Sequence, residues 1–271
     1  METAIVPFVM FRTTLPALAF ALVPAMAFPA VAQEASSGSE IRRETGGATE
    51  GDNSSIVLES ARLGGDLLDR GYDDIRAKRP TEAILKFQQV VAAYEVKYAG
   101  KSVRCANNDL QGIVHGFAAI LAKDTPGPRQ VIVVGSEYCS AIFGQAFALI
   151  DLNRHYEAEP LLLRAIELEP AEPHYINELG ELHKFRKQWR LAHDTFARAL
   201  AVGKELGELA DDMVTARSMR GMGFAKIELG DLDDARRLFL QSQEYDPDSP
   251  AAKAELAYIE EQEELARRSN R

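Results

Sequence analysis

The feature that most constrains this chain is a repeated spacing of small and large residues between Cys139 and Pro250. Ala158, Ala192 and Ala235 each stand four positions before a large apolar residue, Leu162, Phe196 and Phe239. A second small residue follows three positions later, at Ala165, Ala199 and Ser242. Twelve positions before each leading alanine comes another small residue, Ala146, Gly180 or Gly223. The first two copies are 34 residues apart, and the next two are 43 apart, the same period with nine extra residues from Gly207 to Thr215. Residues recurring at three and four positions share one face of a helix. Small residues let two antiparallel helices approach, and large ones fill the wider gaps and reach the next pair. In this reading Ala146, Gly180 and Gly223 face Ala158, Ala192 and Ala235. Asn153 and Gly230 stand where a tight turn needs a left-handed backbone, and Pro170 and Pro247 end the second helices. No single pair buries its apolar face alone, so the pairs must stack. The nine extra residues are expected to lengthen a second helix or the loop after it.

This pattern resembles the tetratricopeptide repeat (TPR) in its exported bacterial type, with units over 139–172, 173–206 and 216–249. Leu179-Gly180 and the terminal prolines carry the likeness. The consensus aromatic of the first helix is replaced by Ile142, Ile176 and Met219, and Trp189 sits in a turn. The resemblance implies an all-α, right-handed solenoid of helical hairpins and a non-enzymatic interaction module. It further implies that a partner segment lies in a concave groove lined by the first helix of each pair. In this register the groove carries Phe143, Phe147 and Ile150, then His174, Asn177, Glu181 and Lys184, then Arg217, Arg220, Phe224 and Ile227, with Tyr258 added by the last helix. Arg217 and Arg220 are placed to grip a peptide carboxylate through charge-assisted hydrogen bonds, and the aromatics to hold apolar side chains. An ordinary solvated face with surface charges is the competing reading at each position. The basic-and-asparagine clamp that some eukaryotic members use on chaperone tails has only a partial echo in Asn177, Arg217 and Arg220.

Upstream of the repeats the chain changes character three times. Leu15 to Ala32 is apolar, uncharged and preceded by Arg12, and it ends in Ala30-Val31-Ala32. That is the form of a cleaved export signal over 1–32. Pro16, Pro24 and Pro29 argue against a membrane anchor or a buried helix. Met10 makes a more ordinary start for such a signal than Met1. Residues 33–55 are rich in Gly, Ser, Thr and charge and are expected to form a disordered linker. Residues 56–97 are expected to be a degenerate first helix pair, because Leu58, Leu63, Leu67, Leu68, Tyr72 and Ile75 recur helically and Ala83 precedes Phe87 by four.

Between residues 98 and 138 the repeat frame fails. A short segment from Lys101 to Ala106, a helical stripe from Asp109 to Lys123 and the β-branched run Val131-Ile132-Val133-Val134 predict strand, helix, strand. This is a βαβ-like insertion between the first and second helix pairs, with two parallel strands that must pack on the flanking helices. Cys105 and Cys139 bracket it. In an oxidising compartment they can form a disulfide, or they can remain two buried thiols. Residues 250–271 are expected to be a capping helix with Leu256, Tyr258, Ile259 and Leu265 among many charges.

Other classes of function find little support. A net charge of −10 without a basic stripe argues against nucleic acid. His115, His155, His174, His183 and His193 are never three or four apart, so no histidine pair has metal-ligand spacing. No phosphate-binding glycine loop or G-x-S-x-G elbow is present. Cys105 with His115 is conceivable as a nucleophile and base, but nothing local supports it. The expectation is a non-enzymatic chain with no cofactor, metal or stable membrane insertion, exported to the periplasm or beyond. Its partner is expected to be a protein or peptide. The alternative is an accessory subunit of an envelope enzyme or secretion machine, binding through the insertion.

Overall fold

The structure, a computed structural model, describes residues 43–45, 54–121, 130–207 and 211–269. The export signal expected over 1–32, and most of the linker after it, lie outside those residues. The described chain opens with β1 (Arg43–Thr45) and β2 (Ser55–Glu59), followed by a helical hairpin, α1 (Leu67–Arg76) and α2 (Pro80–Lys97). Next come β3 (Ser102–Ala106), α3 (Asp109–Leu121) and β4 (Gln130–Gly135). Three hairpins complete the repeats: α4 (Glu137–Asp151) with α5 (His155–Leu168), α6 (Pro173–Phe185) with α7 (Trp189–Glu205), and α8 (Asp212–Glu228) with α9 (Leu232–Ser242). A single helix, α10 (Pro250–Ser269), closes the array. The architecture is a TPR-like helical solenoid with a βαβ-like element near its N-terminus.

The four hairpins turn in the same way. Lys78, Asn153, Lys187 and Gly230 hold the left-handed position, with φ of 58°, 58°, 58° and 82°. In each turn the next amide bonds a carbonyl five residues back: Arg79 to Asp74, Arg154 to Leu149, Gln188 to His183 and Asp231 to Lys226. This closure satisfies carbonyls that a helix end would leave bare. The shared turn makes α1 and α2 a unit of the same series despite their weaker sequence match.

The packing corrects one detail of the sequence reading. Gly180 and Gly223 make room for aromatic rings rather than for the alanines opposite. A β-carbon on Gly180 would lie 2.8 Å from the Phe196 ring, and one on Gly223 would lie 2.9 Å from Phe239. The rings of Phe87 and Phe196 also reach forward. Phe87 lies against Gly71 of α1 and Gly144 of α4, and Phe196 against Gly180 of α6 and Gly221 of α8. Rings bridging successive hairpins are how stacking buries the core.

The nine extra residues are divided. α7 has 17 residues against 14 in α5, and α8 has 17 against 13 in α6. Trp189, expected in a turn, is the first residue of α7.

The sheet is larger than expected. Strand β2 starts at the last residue of the expected linker and runs into the range read as the first helix pair, and helix begins only at Leu67. The strand order is β1-β2-β4-β3, with β2 and β3 both parallel to β4 and β1 antiparallel to β2. β1 itself falls within the range expected to be disordered. Alternation in β2 sends Val57 into the main core with Phe87 and Cys139, and Ile56 to the opposite face with Ala106 and Val133. The sheet therefore lies between the solenoid and α3. Cys105 at the end of β3 is disulfide-bonded to Cys139 in the first turn of α4, with Cα atoms 6.2 Å apart. No helix of the described residues is long and apolar enough to cross a membrane.

Candidate functional site

The first helices of the successive pairs lie side by side. The Phe143 ring of α4 stacks on Tyr175 at 4.8 Å and meets His174 at 5.0 Å, both from α6. Asn177 of α6 is joined to α8, where its Nδ2 donates to the Val214 carbonyl at 3.2 Å and its Oδ1 accepts from the Ser218 hydroxyl at 2.9 Å. Helical spacing then sets Phe147, His174, Glu181, Lys184, Arg217, Arg220 and Phe224 along a partly exposed stripe across the three helices. Ile150 and Tyr258 are partly exposed as well.

Three expected positions are buried instead. Phe143 and Ile227 belong to the core, and Asn177 is completely enclosed. With both ends of its amide already bonded across the α6–α8 junction, Asn177 is a structural link with no surface to offer a partner.

The cations on this stripe come with carboxylates. Arg217 Nη1 lies 2.7 Å from Glu178 Oε1, Arg220 Nη1 lies 2.8 Å from Asp246 Oδ2, and Lys184 Nζ lies 3.0 Å from Glu181 Oε2. Glu178 and Asp246 were not foreseen from the stripe. Glu178 is adjacent in sequence to Asn177, whereas Asp246 comes from the loop after α9. A peptide carboxylate would therefore have to compete with resident carboxylates for Arg217 and Arg220.

No protein-family model and no curated protein matches the chain. Among solved structures, the N-terminal domain of stress-induced protein-1 from C. elegans is 22% identical, over 46% of this chain and 96% of that one, with a TM-score of 0.41. MamA from Desulfovibrio magneticus RS-1 is 13% identical, over 74% of this chain and 85% of its own, with a TM-score of 0.49. The first TPR domain of Spaghetti (RPAP3), bound to an HSP90 peptide, is 16% identical, over 47% and 94%, with a TM-score of 0.42. At these levels they stand as likenesses and nothing more.

Electrostatics along the stripe follow from crowding. Burial pushes the Glu181 carboxyl up, but Lys184, Arg217 and Arg220 outweigh it and hold the group below its usual range. Burial also disfavours the Arg217 charge, and Glu178 and Glu181 more than restore it. Burial holds His174 below the ordinary histidine value, with Glu178 opposing and Arg217 adding to the shift. Lys184 Nζ in addition sits 4.5 Å from the centre of the Phe224 ring, a cation–π contact. The stripe thus combines aromatic surface with a charge network of both signs. Such a surface suits a segment carrying apolar anchors flanked by exchangeable charges.

The other residues considered for chemistry are occupied. The Cys105 and Cys139 sulfurs are spent in the disulfide. His115 Nδ1 donates to the Cys105 carbonyl at 2.9 Å, which fixes the ring against β3 and makes no nucleophile–base pair. The Thr195 hydroxyl donates to the Leu191 carbonyl at 2.7 Å and accepts from His183 Nδ1 at 3.0 Å. Beside the disulfide, Glu169 is fully enclosed, accepts from the Tyr175 hydroxyl at 3.2 Å and, among the described residues, leaves its Oε1 without a hydrogen-bond partner. A cleft of about 370 Å³ opens between α2, β3 and α5, lined by Tyr94, Tyr98, Arg104, Tyr138 and Arg164 among others. Arg164 there already bonds Glu95 and the Tyr138 hydroxyl.

Proposed function

We propose that this chain is a non-enzymatic interaction module of the exported compartment that holds a partner protein segment along the first helices of its repeats. The observation that supports the reading most is the continuous stripe from Phe147 through Lys184 to Phe224. It is partly exposed, aromatic and charged, on helices held rigid by the Asn177 and Phe143 contacts. Binding on a preorganised face loses little entropy in ordering the receptor. Phe147 and Phe224 provide the apolar anchors, Lys184 and Glu181 the exchangeable charges, and Arg217 and Arg220 the polar rim behind them. Export rests on the apolar leader ending in Ala30-Val31-Ala32.

The test is capture from an envelope extract by the chain from Gln33 onward, beside the triple variant Phe147→Ala, Lys184→Ala, Phe224→Ala. The reading expects a protein retained by the parent and lost by the variant while both melt at similar temperatures. Equal capture by both would remove the stripe from consideration.

A further inference from the structure

Helix α3 is built the wrong way round for a surface helix. Its sheet-facing positions are Gly112, His115, Gly116 and Ala119, all buried. A β-carbon on Gly112 would lie 2.8 Å from Val133, and one on Gly116 would lie 2.8 Å from Ile56, so the small residues let α3 settle onto the sheet. Four of its six large apolar residues point outward: Leu110, Val114, Phe117 and Leu121 are 73%, 57%, 44% and 81% exposed, while Ile113 and Ile120 are half-buried, Ile120 against the sheet. The helix holds a single charged residue, Asp109. A surface helix that turns four large apolar side chains outward leaves an apolar stripe where water would normally meet charge.

We propose that this stripe is a self-association surface, with α3 packing against α3 of a second copy of the chain. Successive members of the stripe are four, three and four residues apart, the spacing with which two helices interlock along a seam. An identical stripe is complementary to itself about a two-fold axis. The rest of the chain is acidic, with a net charge of −10, yet the stripe itself bears no charge, so two copies meet where their repulsion is least. A basic partner would find no acidic side chain on the stripe itself.

With the leader removed as proposed above, the chain's own remaining segments carry too little apolar surface to cover the stripe. From Gln33 onward, the stretches outside the described residues contain Ile41 and Leu209 as their only large aliphatic residues and no aromatic one. A lipid surface is a poorer fit, because interfacial helices flank their apolar face with lysine and arginine and α3 has neither among its described residues, Asp109 to Leu121. A stripe of a few hundred Å² falls short of the roughly 800 Å² per partner of a standard interface, so the pairing is reversible and depends on concentration.

The experiment is sedimentation equilibrium of the chain from Gln33 onward, taken into the hundreds of micromolar, beside Leu110→Glu with Phe117→Glu. The parent is expected to approach twice its monomer mass, and the variant to dissociate about tenfold or more more readily while keeping its circular dichroism. Single cysteines placed in turn at Leu110, Val114, Phe117 and Leu121 should give covalent dimers on oxidation, and one at Leu163 of α5 should not. These cysteines carry the test if the double variant does not fold. A parent that is monomeric throughout overturns the proposal, as does a dimer unaffected by the double variant. Sedimentation of a monomeric parent with phosphatidylglycerol-containing vesicles would overturn it in favour of a membrane.

Discussion

A β-carbon on Gly221 would lie 2.5 Å from the ring of Phe196, so two successive repeats meet where a side chain is missing. The same ring fills the space over Gly180. Phe196→Ala is expected to cost about 3–5 kcal/mol through the cavity it leaves. Gly221→Ala is expected to cost about 1–3 kcal/mol through overpacking. Urea unfolding gives both numbers, and a Gly221→Ala chain as stable as the parent would mean the hairpins are not stacked through this ring.

The disulfide ties the sheet to the solenoid. Closing the 34-residue span between Cys105 and Cys139 stabilises the chain by about 3–4 kcal/mol in the loop-entropy view. Reduction, or Cys105→Ala with Cys139→Ala, should lower the urea midpoint accordingly. Tryptic mapping without reduction should recover the two half-cystine peptides joined. Two free thiols in protein isolated from an oxidising compartment would contradict this.

Glu169 makes stability depend on pH. Burial first, and Glu172 second, push its carboxyl from 4.5 up to about 8 against the opposing Tyr175 hydroxyl. The folded chain therefore keeps the proton over a range in which the unfolded chain has lost it. The stability this supplies is complete below pH 4.5 and is lost as pH rises towards about 8. The difference in melting temperature between parent and Glu169→Gln should change across that window and level off above it. Glu172 and Tyr72 face the same group, so the comparison with Glu169→Gln matters more than the parent's profile alone. A difference that is flat with pH would contradict the assignment.

Asn177 is expected to act on folding and not on partner contact. Asn177→Ala leaves the buried Ser218 hydroxyl and Val214 carbonyl without this partner, at a cost of about 1–3 kcal/mol. Lys184→Ala, which removes a partly exposed ion pair with Glu181, should cost less than that. Thermal melts of the two variants distinguish a structural link from a surface group.

What the sequence disclosed was what is local. The small-large-small spacing around Ala192 and Phe196 identifies a helix pair because all its members lie within two dozen residues. The strand Ser55–Glu59 was missed because its partner, Gln130–Gly135, lies some 75 residues away and its apolar run merges with the helical spacing that follows. Periodicity also located the stripe on α3 but not which way it faces. The signal that settles direction was Gly112 and Gly116, four apart on the opposite side of the helix. On the first helices, spacing assembled Phe147, Glu181, Lys184, Arg217, Arg220 and Phe224 on one stripe, but it could not foresee Glu178 and Asp246 beside the two arginines. Asn177 shares that spacing and is buried because α8 covers it.

The most direct test of the central claim is site-specific photocrosslinking in the envelope, with benzoylphenylalanine replacing Phe147 or Phe224 on the stripe and Leu163 or Leu240 on the second helices α5 and α9. The account predicts adducts to one protein from both stripe positions and none from the second helices. Adducts formed only from Leu163 or Leu240, with Phe147 and Phe224 silent, would place the partner on the opposite face and contradict it.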